Sequence, residues 1–115
     1  MSDLAFFSVV DGVRMAAVKT PLAPALLGDI PLSYGALYER IGNFAAYIQK
    51  AGVKPGARVA IWTPKGNDFI TAIYGAMEGG LTYVPVDPSQ PAERAGIILN
   101  EAAPEVLVVR PDLLD

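Results

Sequence analysis

The chain has no cysteine and no histidine in its 115 residues. That excludes disulfides, zinc sites of the usual Cys/His kind, thiol nucleophiles and histidine general bases. Charge is also scarce, at 18% of residues against roughly 25% in an ordinary soluble domain. The net charge is −3, and the nine Lys and Arg residues are scattered from Arg14 to Arg110 without a basic run, so no nucleic-acid partner is expected. Every strongly apolar stretch is interrupted by a charge, Pro or Gly well before ~18 residues, and Met1-Ser2-Asp3 carries no positive n-region. The expectation is a soluble cytoplasmic protein with no membrane partner. No internal repeat and no low-complexity tract is found.

What is abundant is apolar: hydrophobic residues make up 52% of the chain, and the mean hydropathy is +0.35. The length suits one compact core, and a small domain has proportionally more surface to cover with polar groups than a large one. Such a chain either exposes apolar surface or has it covered by something else, and a buried interface is expected.

Phe6, Val10, Val13 and Ala17 fall on one face of a first helix from about Asp3 to Val18, ended by Thr20-Pro21. Ala25-Leu26-Leu27 and Ile30-Pro31-Leu32 flank the turn signal Gly28-Asp29, predicting a small ribbon whose second piece is kept to an edge by its proline. Ser33 is placed to cap a second helix with Leu37, Ile41, Phe44, Ala45 and Ile48 inward, and Gly52 follows as its left-handed C′ residue. After the Lys54-Pro55-Gly56 turn, Val59-Ala60-Ile61-Trp62 is an apolar run expected of a strand covered on both faces. A third helix spans about Asn67 to Glu78, with Phe69, Ile73, Ala76 and Met77 inward and Gly79-Gly80 as its stop. Leu81-Thr82-Tyr83-Val84 is the next strand. A fourth helix has Pro91 suited to its first turn, Glu93 near its positive end, and Ala95, Ile98, Leu99 and Ala102 as its face. Val106-Leu107-Val108-Val109 is the last strand.

This alternation predicts an α/β fold with right-handed crossovers and a small parallel sheet covered by helices. A three-stranded parallel sheet keeps two unpaired edges, and the tail 110–115 offers no helix to close the layer. The arrangement is therefore expected to be an incomplete three-layer one, a single partial domain over residues 1–115.

No Gly-x-x-x-x-Gly-Lys-[Ser/Thr] phosphate loop is present, and Gly75, Gly79 and Gly80 do not follow a strand as a dinucleotide fingerprint requires. The best anion-binding candidate is Thr63-Pro64-Lys65-Gly66-Asn67, which leads from a strand's carboxyl end to a helix start. A plain strand-to-helix turn is the simpler reading, because Asp68 would oppose an anion there. Asp87, in Pro85-Val86-Asp87-Pro88, could bind a metal or act as a base, but a turn residue fixed by two prolines is the simpler reading again. Tyr34, Tyr74, Tyr83 and Trp62 fit core or interface packing better than catalysis.

Pro31-Leu32-Ser33-Tyr34-Gly35-Ala36-Leu37 is similar to the first core motif of the adenylate-forming ligases. The segment from Tyr74 to Arg94, with Tyr83-Val84-Pro85-Val86-Asp87-Pro88-Ser89-Gln90-Pro91-Ala92-Glu93-Arg94 at its end, resembles their second core motif in the form found in amino-acid adenylation domains of nonribosomal peptide synthetases. Gly52-Val53-Lys54-Pro55-Gly56-Ala57-Arg58-Val59-Ala60 matches the family's usual link between the two, and Met77-Glu78 departs slightly from its commoner residues. The resemblance covers about Pro31 to Val109. It implies the start of the N-terminal subdomain of such a ligase, and a two-step reaction. ATP and an amino acid give an aminoacyl adenylate and pyrophosphate, and the acyl group then passes to a carrier-protein thiol.

In that family the phosphate loop, the pocket aspartate, the ribose-binding acid and the catalytic lysine all lie beyond the matching segment. No catalytic, cofactor-binding or metal-binding residue is therefore carried over to this chain. ATP and magnesium are implied only for a completed enzyme, and this segment is not expected to be catalytic alone. Three readings stay open: half of a split enzyme completed by a second chain, with a carrier protein as a further partner; a truncated remnant; or an interaction or regulatory domain that kept the scaffold. The start at Met1 and the finish just after a strand suit the first. Uniformly apolar Val106–Val109 also favours completion by a partner.

Overall fold

The computed structural model describes residues 9–28 and 30–110. Phe6, the expected first turn of helix one, Asp29 of the ribbon turn and Pro111–Asp115 of the tail lie outside the described residues. Among those described, α1 is Val9–Lys19, β1 Pro24–Leu26, β2 Leu32–Ser33, α2 Tyr34–Lys50, β3 Arg58–Trp62, α3 Asn67–Glu78, β4 Thr82–Pro85, α4 Ala92–Ala102 and β5 Val106–Val109.

β1 and β2 form the antiparallel ribbon, one residue out of register across a bulge. It is shorter than its sequence suggests. Ile30 and Pro31 stand outside the strand, because proline has no N–H to give the ladder. Leu27 and Ile30 are consequently left 81% and 67% exposed.

Directly after the ribbon, Ser33 takes an extended conformation and its Oγ accepts the Ala36 N–H at 3.2 Å, capping α2. Ala51 ends the helix and Gly52 follows with φ +83°, a region glycine enters without a Cβ penalty. Leu37, Ile41 and Ile48 are buried along α2, with Phe44 and Ala45 half-buried. Ser33→Ala removes the cap and should lower stability by ~1 kcal/mol, seen as a lower urea midpoint with unchanged slope.

The main sheet has the order β4-β3-β5, all parallel. β3 is central, and Val59, Ala60 and Ile61 are 0% exposed. The chain leaves β3 first toward one neighbour and then crosses to the other, so right-handed crossovers put α3 and α4 on opposite faces. On the α3 face, Val59 and Ile61 join Ile48, Ala72, Ala76 and Leu81, with Phe44, Val106 and Val108 packed alongside. On the other face Ala60 is covered, as is Ala95 of α4. A second cluster holds α1 against α2 through Val10, Val13, Leu37 and Ile41, with Tyr34, Tyr74 and Met77 packed on it.

Three details differ from the sequence expectation. The buried residues of α3 are Ala72, Gly75 and Ala76, while Phe69 and Ile73 are only half-buried. The cause is close approach to α2: a Cβ built on Gly75 would stand 3.0 Å from Phe44 Cγ and 3.2 Å from Phe44 Cβ. Cover is complete only over the middle of β3, Val59–Ile61, since Tyr83 of β4 is 36% and Leu107 of β5 40% exposed. Finally, Pro91 sits at the N-cap of α4 rather than inside its first turn, and Ala95 is the only fully buried residue of that helix.

Candidate functional site

Open α/β sheets bind ligands outside the carboxyl ends of their strands, where the connections diverge. Here that place lies between β3 and β5. Thr63, immediately after β3 and 6% exposed, lines three adjoining hollows of about 240, 370 and 770 Å³. The first runs between α2, α3 and β5 and is walled by Phe44, Ala72, Val108 and Val109, with Thr71 beside them. The second lies over the start of α3 and collects Arg40, Lys65, Gly66, Asn67, Asp68 and Arg110. The third lies between the β3–α3 loop and the turn after β4, with Phe69, Pro85, Asp87 and Ser89.

The Thr63–Asn67 segment is thus a strand-to-helix turn on the wall of a crevice. Gly66 precedes α3 in an extended conformation, and no side chain caps the helix. Asn67 Nδ2 donates to the Ile30 carbonyl at 2.5 Å, tying the turn to the ribbon. The Asp68 carboxylate is turned outward, 85% exposed and 3.9 Å from Arg40 Nη1, a pair too solvated to add much stability. Arg40 sits in the middle of α2, so no local pattern in the sequence marks it as a neighbour of this turn. Its proximity follows from the packing of α2 on α3.

Asp87 is the turn residue its neighbours suggest. Its Oδ1 accepts the Ser89 N–H at 2.9 Å and the Ser89 hydroxyl at 2.8 Å, closing a turn from Asp87 to Ser89 around Pro88. These two hydrogen bonds to the charged form, helped by Lys65 across the hollow, hold its carboxyl below the usual value of 3.8. A carboxyl lowered by folding contributes its stabilisation above the unfolded value and loses it as pH falls through the folded one. The Asp87 side-chain carbon resonance should therefore titrate with a midpoint under 3.8, and Ser89→Ala should move that midpoint upward; pH changes between 5 and 8 should leave the turn unchanged.

Among the described residues, no three Asp or Glu side chains stand together as a metal would require. No helix among the described residues is long and apolar enough to cross a membrane.

A small parallel sheet covered by helices, with one motif segment running through β2 into α2 and the other from α3 through β4 into α4, defines the class: this is the start of the N-terminal subdomain of an adenylate-forming enzyme. The N-terminal subdomain of Klebsiella oxytoca NpsA superposes with a TM-score of 0.79 at 25% identity, over 90% of this chain and 28% of that one. The chain belongs to the AMP-binding enzyme family, whose model matches residues 13–115. It is 37% identical to the L-proline--[L-prolyl-carrier protein] ligase of Streptomyces coelicolor, over 87% of this chain and 19% of the ligase. It is 41% identical to phenyloxazoline synthase MbtB of a Mycobacterium species, over 80% of this chain and 8% of the synthase. The chain thus spans less than a fifth of the length of these curated relatives.

Proposed function

We propose that this chain serves as the N-terminal part of an amino-acid-activating adenylation domain, completed by a second chain that brings the phosphate loop, the amino-acid pocket and the catalytic lysine. In the completed enzyme an amino-acid carboxylate oxygen attacks the α-phosphorus of ATP and pyrophosphate leaves. A carrier-protein thiol then attacks the acyl carbon and AMP leaves. On this reading the protein works in the cytoplasm, and neither nucleic acid nor a membrane takes part.

The observation that carries the reading is the segment from Tyr83 to Arg94. Its Tyr-Val-Pro-Val-Asp-Pro run is the form associated with amino-acid activation. It builds β4, the Asp87–Ser89 turn and the start of α4 in one stretch, and the relative at 37% identity acts, by its name, on L-proline and a carrier protein. The role assigned to the chain itself is that of a scaffold, since its described residues supply the sheet and one wall of the crevice. The half-exposed apolar side chains of β4 and β5 favour a completed enzyme over a freestanding regulatory domain, which would carry polar groups there.

The test has two arms. In the first, the matched segment of the Streptomyces coelicolor ligase is replaced by this chain in one polypeptide, and L-proline-dependent ATP–pyrophosphate exchange is measured. In the second, the same two pieces are produced as separate polypeptides and mixed. Exchange in both arms supports the proposal, whereas exchange only in the joined form sinks the second chain and keeps the adenylation role. No exchange in either arm removes the adenylation role as well.

A further inference from the structure

We infer that α4 is a flap, which opens as one unit about a strained joint at Ala103-Pro104 while the sheet, α2 and α3 stay folded, and that Arg58 is its latch. The motion bares the Ala60–Trp62 face of the central strand, opposite the face on which Val59 and Ile61 pack under α3.

Of the eleven residues of α4 only Ala95 is fully buried, whereas α2 and α3 each bury three. Ile97 is 54% exposed. Local signals add little to this hold. Pro91 at the N-cap has no side-chain oxygen to accept an orphan N–H, no basic residue stands in the last turn, and Gly96 lies inside the helix, where glycine is unfavourable. An element with so little apolar burial opens at a lower free energy than the core it rests on.

The joint itself is loaded. Ala103 ends the helix in the left-handed region, at φ 46° and ψ 56°, and is the only non-glycine residue at positive φ among the described residues. A Cβ crowds the following carbonyl there, and a proline next in the chain steers the residue before it toward extended backbone instead. When α4 lifts, Ala103 is free to take that extended conformation, so opening relieves the strain. Two buried polar atoms act in the same direction. Trp62 Nε1, on the Ala60 face by strand alternation, and Gln90 Oε1, just ahead of α4, are without a hydrogen-bond partner among the described residues, and both regain water in the open form.

Arg58, the first residue of β3, works against the opening. Its carbonyl accepts the Glu105 N–H at 3.0 Å, which fixes the chain just beyond the joint to the sheet. Its Nη1 donates to the Ala102 carbonyl at 2.9 Å, on the flap side of the joint, where its charge also faces the negative end of the α4 dipole. One residue thus holds the fixed side through its backbone and the moving side through its side chain. At the leading end the Gln90 N–H donates to the Asp87 carbonyl at 3.1 Å. Movement of α4 therefore pulls on the Asp87–Ser89 turn, which walls the hollow of about 770 Å³.

The test is native-state amide hydrogen exchange of the whole 115-residue chain, followed residue by residue at several low urea concentrations. The Ala95, Leu99 and Ala103 amides should exchange together, about tenfold or more faster than those of Ile48 in α2 and Ala76 in α3, and with a much shallower urea slope, because opening the flap exposes little surface. Ala103→Gly, which fits the left-handed joint without strain, should slow the three α4 amides roughly fivefold. Arg58→Met, which keeps the apolar stem and removes the donor, should speed them about threefold. Ile41→Val weakens the core under α1, far from the flap, so it should speed the Ile48 and Ala76 amides about threefold and leave the α4 amides unchanged. α4 amides that share the urea slope of the core, or that follow Ile41→Val, overturn the flap. A shallow slope that neither Ala103→Gly nor Arg58→Met shifts overturns the joint and the latch. If a variant fails to fold, the urea slopes of the unaltered chain decide.

Discussion

Ile61→Ala is expected to be among the most damaging substitutions in this protein, lowering stability by about 3–4 kcal/mol. Ile61 is fully buried at the centre of β3 and packs within the cluster that holds Ile48, Ala72 and Ala76. Truncation removes the transfer free energy of three carbon atoms and leaves a cavity that neighbours on three elements cannot collapse to fill. A chain of 115 residues has a total stability on the order of 6–17 kcal/mol, at ~0.05–0.15 kcal/mol per residue, so this one substitution removes a large share of it. Urea unfolding followed by far-ultraviolet circular dichroism measures the loss. A fall of less than about 1 kcal/mol would mean that the site relaxes and that β3 is not the rigid centre described above. Leu22→Ser is the contrast. Leu22 is 90% exposed, and its replacement should stay within about 0.5 kcal/mol.

Gly75→Val should cost about 2–3 kcal/mol, for the opposite reason. No room exists where α3 meets α2, because an added side chain would overlap the Phe44 ring and stand 3.2 Å from its Cβ. Phe44 cannot yield by moving only its tip, so the helices must separate and Ala72 and Ala76 lose contacts with the sheet. Gly96→Ala is the internal control. Gly96 lies in the exposed part of α4 with nothing within 4 Å of an added Cβ, and alanine there should raise stability by about 0.5–1 kcal/mol through helix propensity. Opposite signs at the two glycines, read from paired melting curves, would establish that the α2–α3 contact is set by the missing side chain.

The same glycine shows where sequence reading falls short. The α2 helix is legible because its signals are local: a serine oxygen three residues before the N–H it caps, an apolar stripe at helical spacing and a glycine in the left-handed region just beyond the end. For α3 the stripe of largest residues points to Phe69 and Ile73, yet the deeply buried face is Ala72, Gly75 and Ala76. Hydropathy rewards size, whereas close helix approach selects small residues, and the approach is decided by Phe44 on another element. The crevice has the same history. Thr63 and Asp87 can be placed after strands by counting along the chain, and the Asp87–Ser89 turn follows from its prolines. That Arg40 closes one wall depends on packing between helices, which no local pattern encodes. Nor could apolar runs alone separate the covered strand β3 from the partly bare strands β4 and β5; the order β4-β3-β5 does that.

That order has a consequence for synthesis on the ribosome. The central strand is the first of the three to be made. When Trp62 has emerged, neither neighbour exists, and the last residue of β4 follows 23 positions later, at Pro85. At roughly 5–20 residues per second, Val59-Ala60-Ile61 must wait on the order of one to five seconds for its first ladder partner and longer for β5. During that interval it is a nascent apolar segment sheltered by little more than α2. The step at which this protein is most open to capture by a chaperone, or to aggregation with a neighbouring nascent chain, is thus written into the position of its central strand.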